Sequence, residues 1–245
     1  MVTLALDTSH PVGSVAAARD GVLLGAGQFR EPATHLVALG HSVDDVLGAA
    51  GMSVSQLDRL AIVTGPGSFT GLRIGLSFAK GLHAATGVPL LSMDALRLLA
   101  LPWLVEATRV CAMIDARRGE VYAAVYAQAS ADETAADPAA AREVVAPCAV
   151  SPVAWFELMD AAPDVFVGTG AVAHRDTILA RYPAATIPDE DSMYPSTAHL
   201  AMIAHRMRPL DEPAVRTLEP LYVRASGAEQ KRLREHVRPT EGADG

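Results

Sequence analysis

The residues of this chain that could do chemistry together fall at three turns. Asp7-Thr8-Ser9 closes the apolar run Val2 to Leu6. An acid at the end of a strand, followed by hydroxyls, could hold a metal-bound phosphate, and it is also ordinary turn chemistry. Thr64-Gly65-Pro66-Gly67-Ser68-Phe69-Thr70-Gly71 follows a second apolar run, Leu60 to Val63, and opens a proline-free segment with helical spacing over 70–86. Gly65, Pro66 and Gly67 read as a structural turn, because glycine permits positive φ and close backbone approach. The helix start beyond them aims free N–H groups at whatever lies in front, a generic anion or nucleotide site. The third turn, Gly168-Thr169-Gly170, follows the apolar run ending at Val167. Asp115 closes Val110 to Ile114 much as Asp7 closes the first strand.

Several chemistries are disfavoured by spacing. No Gly-Lys-Ser/Thr follows the glycine turn, so it is not a P-loop. Gly65, Gly67 and Gly71, with Asp94 after the next strand, imitate a dinucleotide fingerprint. Pro66 removes a donor from that turn, however, and hairpins precede it. His35 and His41 are six apart, as are His199 and His205, so neither pair shares a helix face and no metal site is expected. No Gly-x-Ser-x-Gly elbow is present.

The elements that must position these residues follow from periodicity. Strands are expected at 2–6, 13–18 and 22–28, with Asp20-Gly21 as a hairpin turn. Leu36, Leu39, Val43, Val46, Leu47 and Ala50 fall at helical steps over 35–50. A strand over 60–63, the helix over 70–86, a strand over 88–92 and a short helix or turn over 94–103 complete a first unit. A second unit then begins alike, with strands at 110–114, 121–126 and 142–150. Setting Asp7 on Asp115 brings Gly13 to Gly119, with the second turn two residues shorter. The low-complexity stretch 128–141 reads as a mobile loop. Helices are expected over 154–161, 173–181 and 196–208, then an extended piece at 221–224 and a polar tail, 225–245, read as disordered. Gly71, Gly75 and Ala79 recur every four residues, a smooth stripe on which a second helix could dock.

Composition bounds the function. Half of the 245 residues are hydrophobic, so a sizeable core is available. The net charge of −8 disfavours a stand-alone nucleic-acid binder and leaves only a local arginine cluster, Arg224 to Arg238. Cys111 and Cys148 read as free thiols. Met1 to Leu6 lacks the basic start of a secretory signal, and no apolar run approaches about 18 residues, so a cytoplasmic protein without a membrane partner is expected.

These residues together resemble one family. Two units opening with strand, Asp and hairpin are similar to the actin-like superfamily that includes the sugar kinases. Within it, Leu4 to Ser9, Gly65-Pro66-Gly67-Ser68-Phe69-Thr70-Gly71-Leu72-Arg73-Ile74-Gly75 and Asp115-Ala116-Arg117-Arg118-Gly119-Glu120-Val121-Tyr122 resemble the TsaB family, formerly YeaZ. The resemblance is close over 1–126 and looser to Arg224. It implies an α/β fold of two actin-like (ribonuclease H-like) lobes, each a mixed sheet flanked by helices. Lobe 1 is expected over 1–103, lobe 2 over 104–195, and a helix within 196–224 is expected to return to lobe 1. It implies a non-catalytic subunit that dimerises with TsaD to make threonylcarbamoyladenosine beside the tRNA anticodon, with TsaE in the larger complex. TsaD carries a His-x-x-x-His metal pair where this chain has Asp94 and Leu98, so no metal of its own is implied. Pairing is implied through helices 35–50 and 70–86, with TsaD or a second copy. The expected contacts are Leu36, Leu39, Val43, Gly71, Leu72, Gly75 and Ala79, with tRNA touched only indirectly. A vestigial nucleotide site, binding ATP weakly if at all, would use Asp7, Thr8, Ser9, Asp115, Gly168 and Gly170. The alternatives are an ATP-dependent phosphotransferase using Asp7 and Asp115, and a metallopeptidase.

Overall fold

Five layers stack in the order helices, sheet, helices, sheet, helices, in a computed structural model that describes residues 1–30, 35–188 and 193–223. The first sheet holds β1 (Val2–Asp7), β2 (Gly13–Arg19), β3 (Val22–Phe29), β4 (Arg59–Val63) and β5 (Leu90–Met93), in the order β3-β2-β1-β4-β5. Hairpins make β1, β2 and β3 antiparallel, whereas β4 and β5 run parallel to β1. The second sheet holds β6 (Arg109–Arg117), β7 (Glu120–Gln128), β8 (Ala141–Val150) and β9 (Val165–Val167), in the order β8-β7-β6-β9. Here β9 is parallel to β6 and the rest is antiparallel. Both sheets are mixed, and the second repeats the first without a fifth strand. The expected two-lobed α/β class holds.

Alternation along the strands builds the layers. Leu4 and Leu6 of β1 face an outer core with α1 (His35–Ala49) and α2 (Phe69–Thr86). Ala5, Ala16, Ala18 and Ala61 face the centre, where α3 (Ala95–Ala100) and α8 (Thr197–Ala204) lie between the sheets. Small side chains there let helices approach the sheet closely. Val110, Ala112 and Ile114 of β6 close this central core from the other side. Cys111 and Met113 face outward to α5 (Pro152–Leu158), α6 (Thr169–Ala173) and α7 (Arg175–Arg181). Both cysteines are free, and the buried Trp155 donates its indole N–H to Cys111 Sγ at 3.3 Å. One core thus spans both lobes.

Several boundaries differ from the sequence expectation. The stretch 128–141 contains α4 (Ala131–Ala136), started by a reciprocal Ser130–Glu133 capping box, and Ala139 is buried in the central core. The helix expected over 154–161 starts earlier, at Pro152 behind the Ser151 cap. The helix expected over 173–181 is two, α6 and α7, broken at His174. The helix expected to reach residue 208 stops at Ala204. A further helix, α9 (Glu212–Thr217), was not foreseen; Asp211 caps it and Pro213 lies in its first turn. This segment returns along lobe 1, with Leu210 N–H on Leu90 O and Leu221 N–H on Thr64 O. The tail 225–245 and the cluster Arg224 to Arg238 lie outside the described residues. Among the described residues no helix is long and apolar enough to cross a membrane.

Candidate functional site

In lobe 1 the glycine turn closes onto the first hairpin turn. Ser68 caps α2, accepting from Gly71 N–H at 3.2 Å, while Ser68 N–H donates to Ser9 O at 2.7 Å. Thr8 Oγ1 donates to Gly71 O at 2.7 Å. A Cβ at Gly67 would overlap the Ser9 carbonyl, one at Gly71 the Thr8 carbonyl, and one at Gly75 the Thr8 hydroxyl. The stripe of small residues is therefore filled by the chain's own turn. Gly65 takes φ 107 before a cis peptide to Pro66.

Behind this contact Asp7, Thr8, Ser9 and His10 are all buried. Asp7 Oδ1 accepts from Ser9 N–H at 2.7 Å. His10 did not stand out in the sequence. Its side chain is only 4% exposed, with Nδ1 2.7 Å from Ser9 Oγ and 3.7 Å from Asp7 Oδ2. Its Nε2 has no partner among the described residues, and its ring meets Tyr194 edge-on at 5.4 Å. These three residues do not form a Ser–His–Asp relay, because serine and aspartate address the same ring nitrogen and a relay needs both. A histidine directly after an acid and a hydroxyl in a turn was the available signal.

Lobe 2 repeats the local geometry but leaves it open. Asp115 Oδ1 accepts from Arg117 N–H at 2.8 Å, and Asp115 N–H donates to Thr169 Oγ1 at 2.9 Å. Asp115 is exposed, and Arg117, Arg118 and Gly119 turn the chain with φ of 61, 57 and 77. Left-handed backbone is what a tight hairpin such as that between β6 and β7 requires, and it is costly at two consecutive arginines. A Cβ at Gly168 (φ 104) would overlap Met113 O, and one at Gly170 would lie 3.1 Å from Met113. Both glycines serve packing on β6. A cleft of about 600 Å³ separates the two turns, lined by Ser9, His10, residues 67–71, residues 114–117, Tyr122, Thr169 and Tyr194.

The expected nucleotide set is thus only partly brought together. Ser9 and Asp115 line the cleft; Asp7 and Thr8 lie behind it, and Gly168 and Gly170 face β6. With α2 packed on Thr8 and Ser9, Ser9 and Asp115 are the members of this set that still reach the cleft. The expected partner face needs the same correction. Leu36 is exposed, but Leu39, Val43, Leu72 and Ala79 are buried in their own lobe, and Gly71 and Gly75 face Thr8.

Asp94 and Leu98 have structural work. Asp94 Oδ1 caps α3 through Leu96 N–H at 2.7 Å and Arg97 N–H at 3.4 Å. Tyr126 of lobe 2 donates its hydroxyl to Asp94 Oδ2 at 2.9 Å. Burial pushes the Asp94 carboxyl above its ordinary value, against the lowering by these hydrogen bonds. Leu98 is fully buried in the central core. Among the described residues no three His, Cys, Asp or Glu side chains gather as a metal-ligand cluster.

Comparison with known proteins adds to this geometry. Residues 32–232 match the family model of TsaD, tRNA N6-adenosine threonylcarbamoyltransferase. The tRNA threonylcarbamoyladenosine biosynthesis protein TsaB of Escherichia coli (strain K12) is 34% identical, over 94% of this chain and 98% of that protein. Its namesake from Haemophilus influenzae is 28% identical over 91% and 94%. A crystal structure from Pseudomonas aeruginosa, described as similar to peptidase YeaZ, superposes with a TM-score of 0.72 at 30% identity, covering 91% of this chain and 99% of that one.

Proposed function

The chain belongs to the TsaB family, and from that premise we propose that it serves tRNA threonylcarbamoyladenosine biosynthesis as a non-catalytic subunit that holds and activates a TsaD-type transferase. One observation carries the non-catalytic reading. Where the resemblance places a metal-binding histidine pair, Asp94 is held by α3 and Tyr126, and Leu98 is sealed in the core. A leucine cannot ligate, and a carboxylate committed to a helix cap is a poor metal ligand. The phosphotransferase alternative needs two open carboxylates, yet Asp7 is buried beneath its own turn. A cytoplasmic protein suits this role.

The partner surface we propose is the outward face of α1 and α2, not the stripe toward the sheet. Leu36 and Val37 are exposed there. A Cβ at Gly40 or at Gly81 would meet nothing within 4 Å. A glycine inside a helix costs about 1 kcal/mol relative to alanine, so open glycines need a reason. Close approach of a second helix, from the transferase or from another copy of this chain, supplies one.

Co-elution of the full chain with a TsaD-type transferase tests this. The unaltered chain is expected to form the complex, and Gly81→Leu, folded by circular dichroism, is expected to weaken it at least about tenfold, as overpacking of a close contact would. Undiminished binding by Gly81→Leu would remove the assignment.

A further inference from the structure

We propose that the outer edge of β3 is a self-association surface, on which β3 of a second copy of this chain pairs antiparallel about a two-fold axis and joins the two first sheets into one. This edge is separate from the outward face of α1 and α2, and the pairing does not depend on the subunit reading above.

Every open sheet ends in two strands whose outer backbone groups are a template for further pairing. Four strands stand at edges here, β3 and β5 in the first sheet, β8 and β9 in the second. Three of them are protected. β5 has only four residues, and Leu90 O accepts from Leu210 N–H at 2.9 Å. β9 has three residues, and Phe166 N–H donates to Thr186 O at 2.9 Å. β8 is long, but it carries Arg142, Glu143 and Pro147, and its pairing with β7 shifts register twice. Charges, proline and bulges are the usual means of blunting an edge.

β3 has little of this. Its eight residues, Val-Leu-Leu-Gly-Ala-Gly-Gln-Phe, include no charge and no proline. Its one register shift lies beside the hairpin turn, opposite Ala17 and Ala18, and beyond it Gly25 to Phe29 pair regularly with β2. Among the described residues no backbone hydrogen bond reaches Val22 to Gln28 from outside β2. Val22 is 66% exposed and Leu23 42%, although both are apolar. Main-chain bonds along such an edge would hold an added strand.

Charge decides what that strand is. The chain carries a net charge of −8, so two copies repel over most of their surface, and an uncharged strand is where they can meet. The ends of β3 then complement each other. Asp20 precedes the strand, its side chain 67% exposed beside the Met1 amine. Arg30 follows the strand, exposed and without an ion pair among the described residues. A two-fold axis sets the start of one strand against the end of the other, which brings Arg30 of each copy toward Asp20 of the other. With the axis at Ala26, Leu24 faces Gln28, and the aliphatic stem of Arg30 covers Val22. The pairing uses up both free edges and so closes at two copies.

The test is the mass of the full chain by sedimentation across a range of concentrations, with hydrogen exchange of the β3 amides measured alongside. A monomer–dimer equilibrium is expected, with the amides of Val22 to Gln28 exchanging more slowly as dimer accumulates. Ala26→Lys, at an exposed position, sets two lysines against each other at the axis and should raise the dimer Kd at least about tenfold. Arg30→Gln should raise it about threefold, because a weak surface pair is lost twice. Gly81→Leu, on α2, should leave it unchanged. A monomer at every concentration would overturn the proposal, and so would a dimer lost with Gly81→Leu but kept with Ala26→Lys. Slow β3 amides that appear only when a TsaD-type transferase is added would assign the edge to that partner and overturn the second copy. Should Ala26→Lys fail to fold, β3 exchange in the unaltered chain that does not slow with concentration would overturn it equally.

Discussion

The two lobes start from the same motif and finish it differently. Each has a central strand ending in an aspartate whose Oδ1 accepts from the N–H two residues on. Each has a parallel neighbour strand, followed by a glycine-bearing turn and a helix start. In lobe 1 the glycines press α2 onto the Thr8–Ser9 turn itself, and Asp7 is sealed. In lobe 2 the glycines press on the strand before the aspartate, at Met113, and Asp115 is left in solvent. The same turn chemistry gives a closed packing joint in one lobe and an open rim in the other. What decides between them is where the following helix lands.

The largest expected effect comes from breaking the closed joint. Gly71→Ala drives a methyl into the Thr8 carbonyl and should cost more than about 3 kcal/mol or prevent folding. Gly170→Ala meets Met113 at 3.1 Å, where a small shift suffices, and should cost about 1 kcal/mol. Denaturant unfolding of the pair measures the contrast, and equal losses would erase it.

Capping should differ in the same direction by less. Ser68→Ala removes the cap of an 18-residue helix that also joins the two turns, and about 1 kcal/mol is expected to be lost. Thr169→Val removes an acceptor whose partner, Asp115 N–H, can turn to water, so a change within about 0.5 kcal/mol is expected. Thermal unfolding side by side would sharpen or reverse this ranking.

The smallest effect concerns the clasp between the lobes. Burial raises the Asp94 carboxyl above its ordinary 3.8. The folded chain therefore keeps a proton that the unfolded chain releases, and this contribution is lost as pH rises from about that value through the raised one. Asp94→Asn still caps α3 and removes the titration. The variant should gain stability relative to the unaltered chain as pH goes from acid to neutral. Parallel stability curves for the two would show that the group carries no such linkage.

Much of this architecture was legible in the residues. The Asp20-Gly21 hairpin, the helix after the glycine turn and the restart at Asp115 all follow from local turn chemistry and periodicity. The direction of the small-residue stripe did not. Four-residue spacing says that Gly71, Gly75 and Ala79 share a face, but the atoms meeting the two glycines belong to Thr8, some sixty positions earlier. His10 was hidden for a related reason, because its burial depends on α2 and Tyr194 closing over it. Asp94 imitated a ribose-binding acid until Tyr126 of the other lobe was seen to hold it. Contacts between lobes carry no period that a single sequence displays.

The central claim is that this chain activates a transferase and does no transfer itself. Its most direct test is threonylcarbamoyl transfer to a tRNA transcript by a TsaD-type transferase with its remaining partners, with and without the full chain. The account predicts activity only when the chain is added, no activity from the chain without the transferase, and loss of the stimulation with Gly81→Leu. Transfer by the chain alone, or full stimulation by Gly81→Leu, would contradict it.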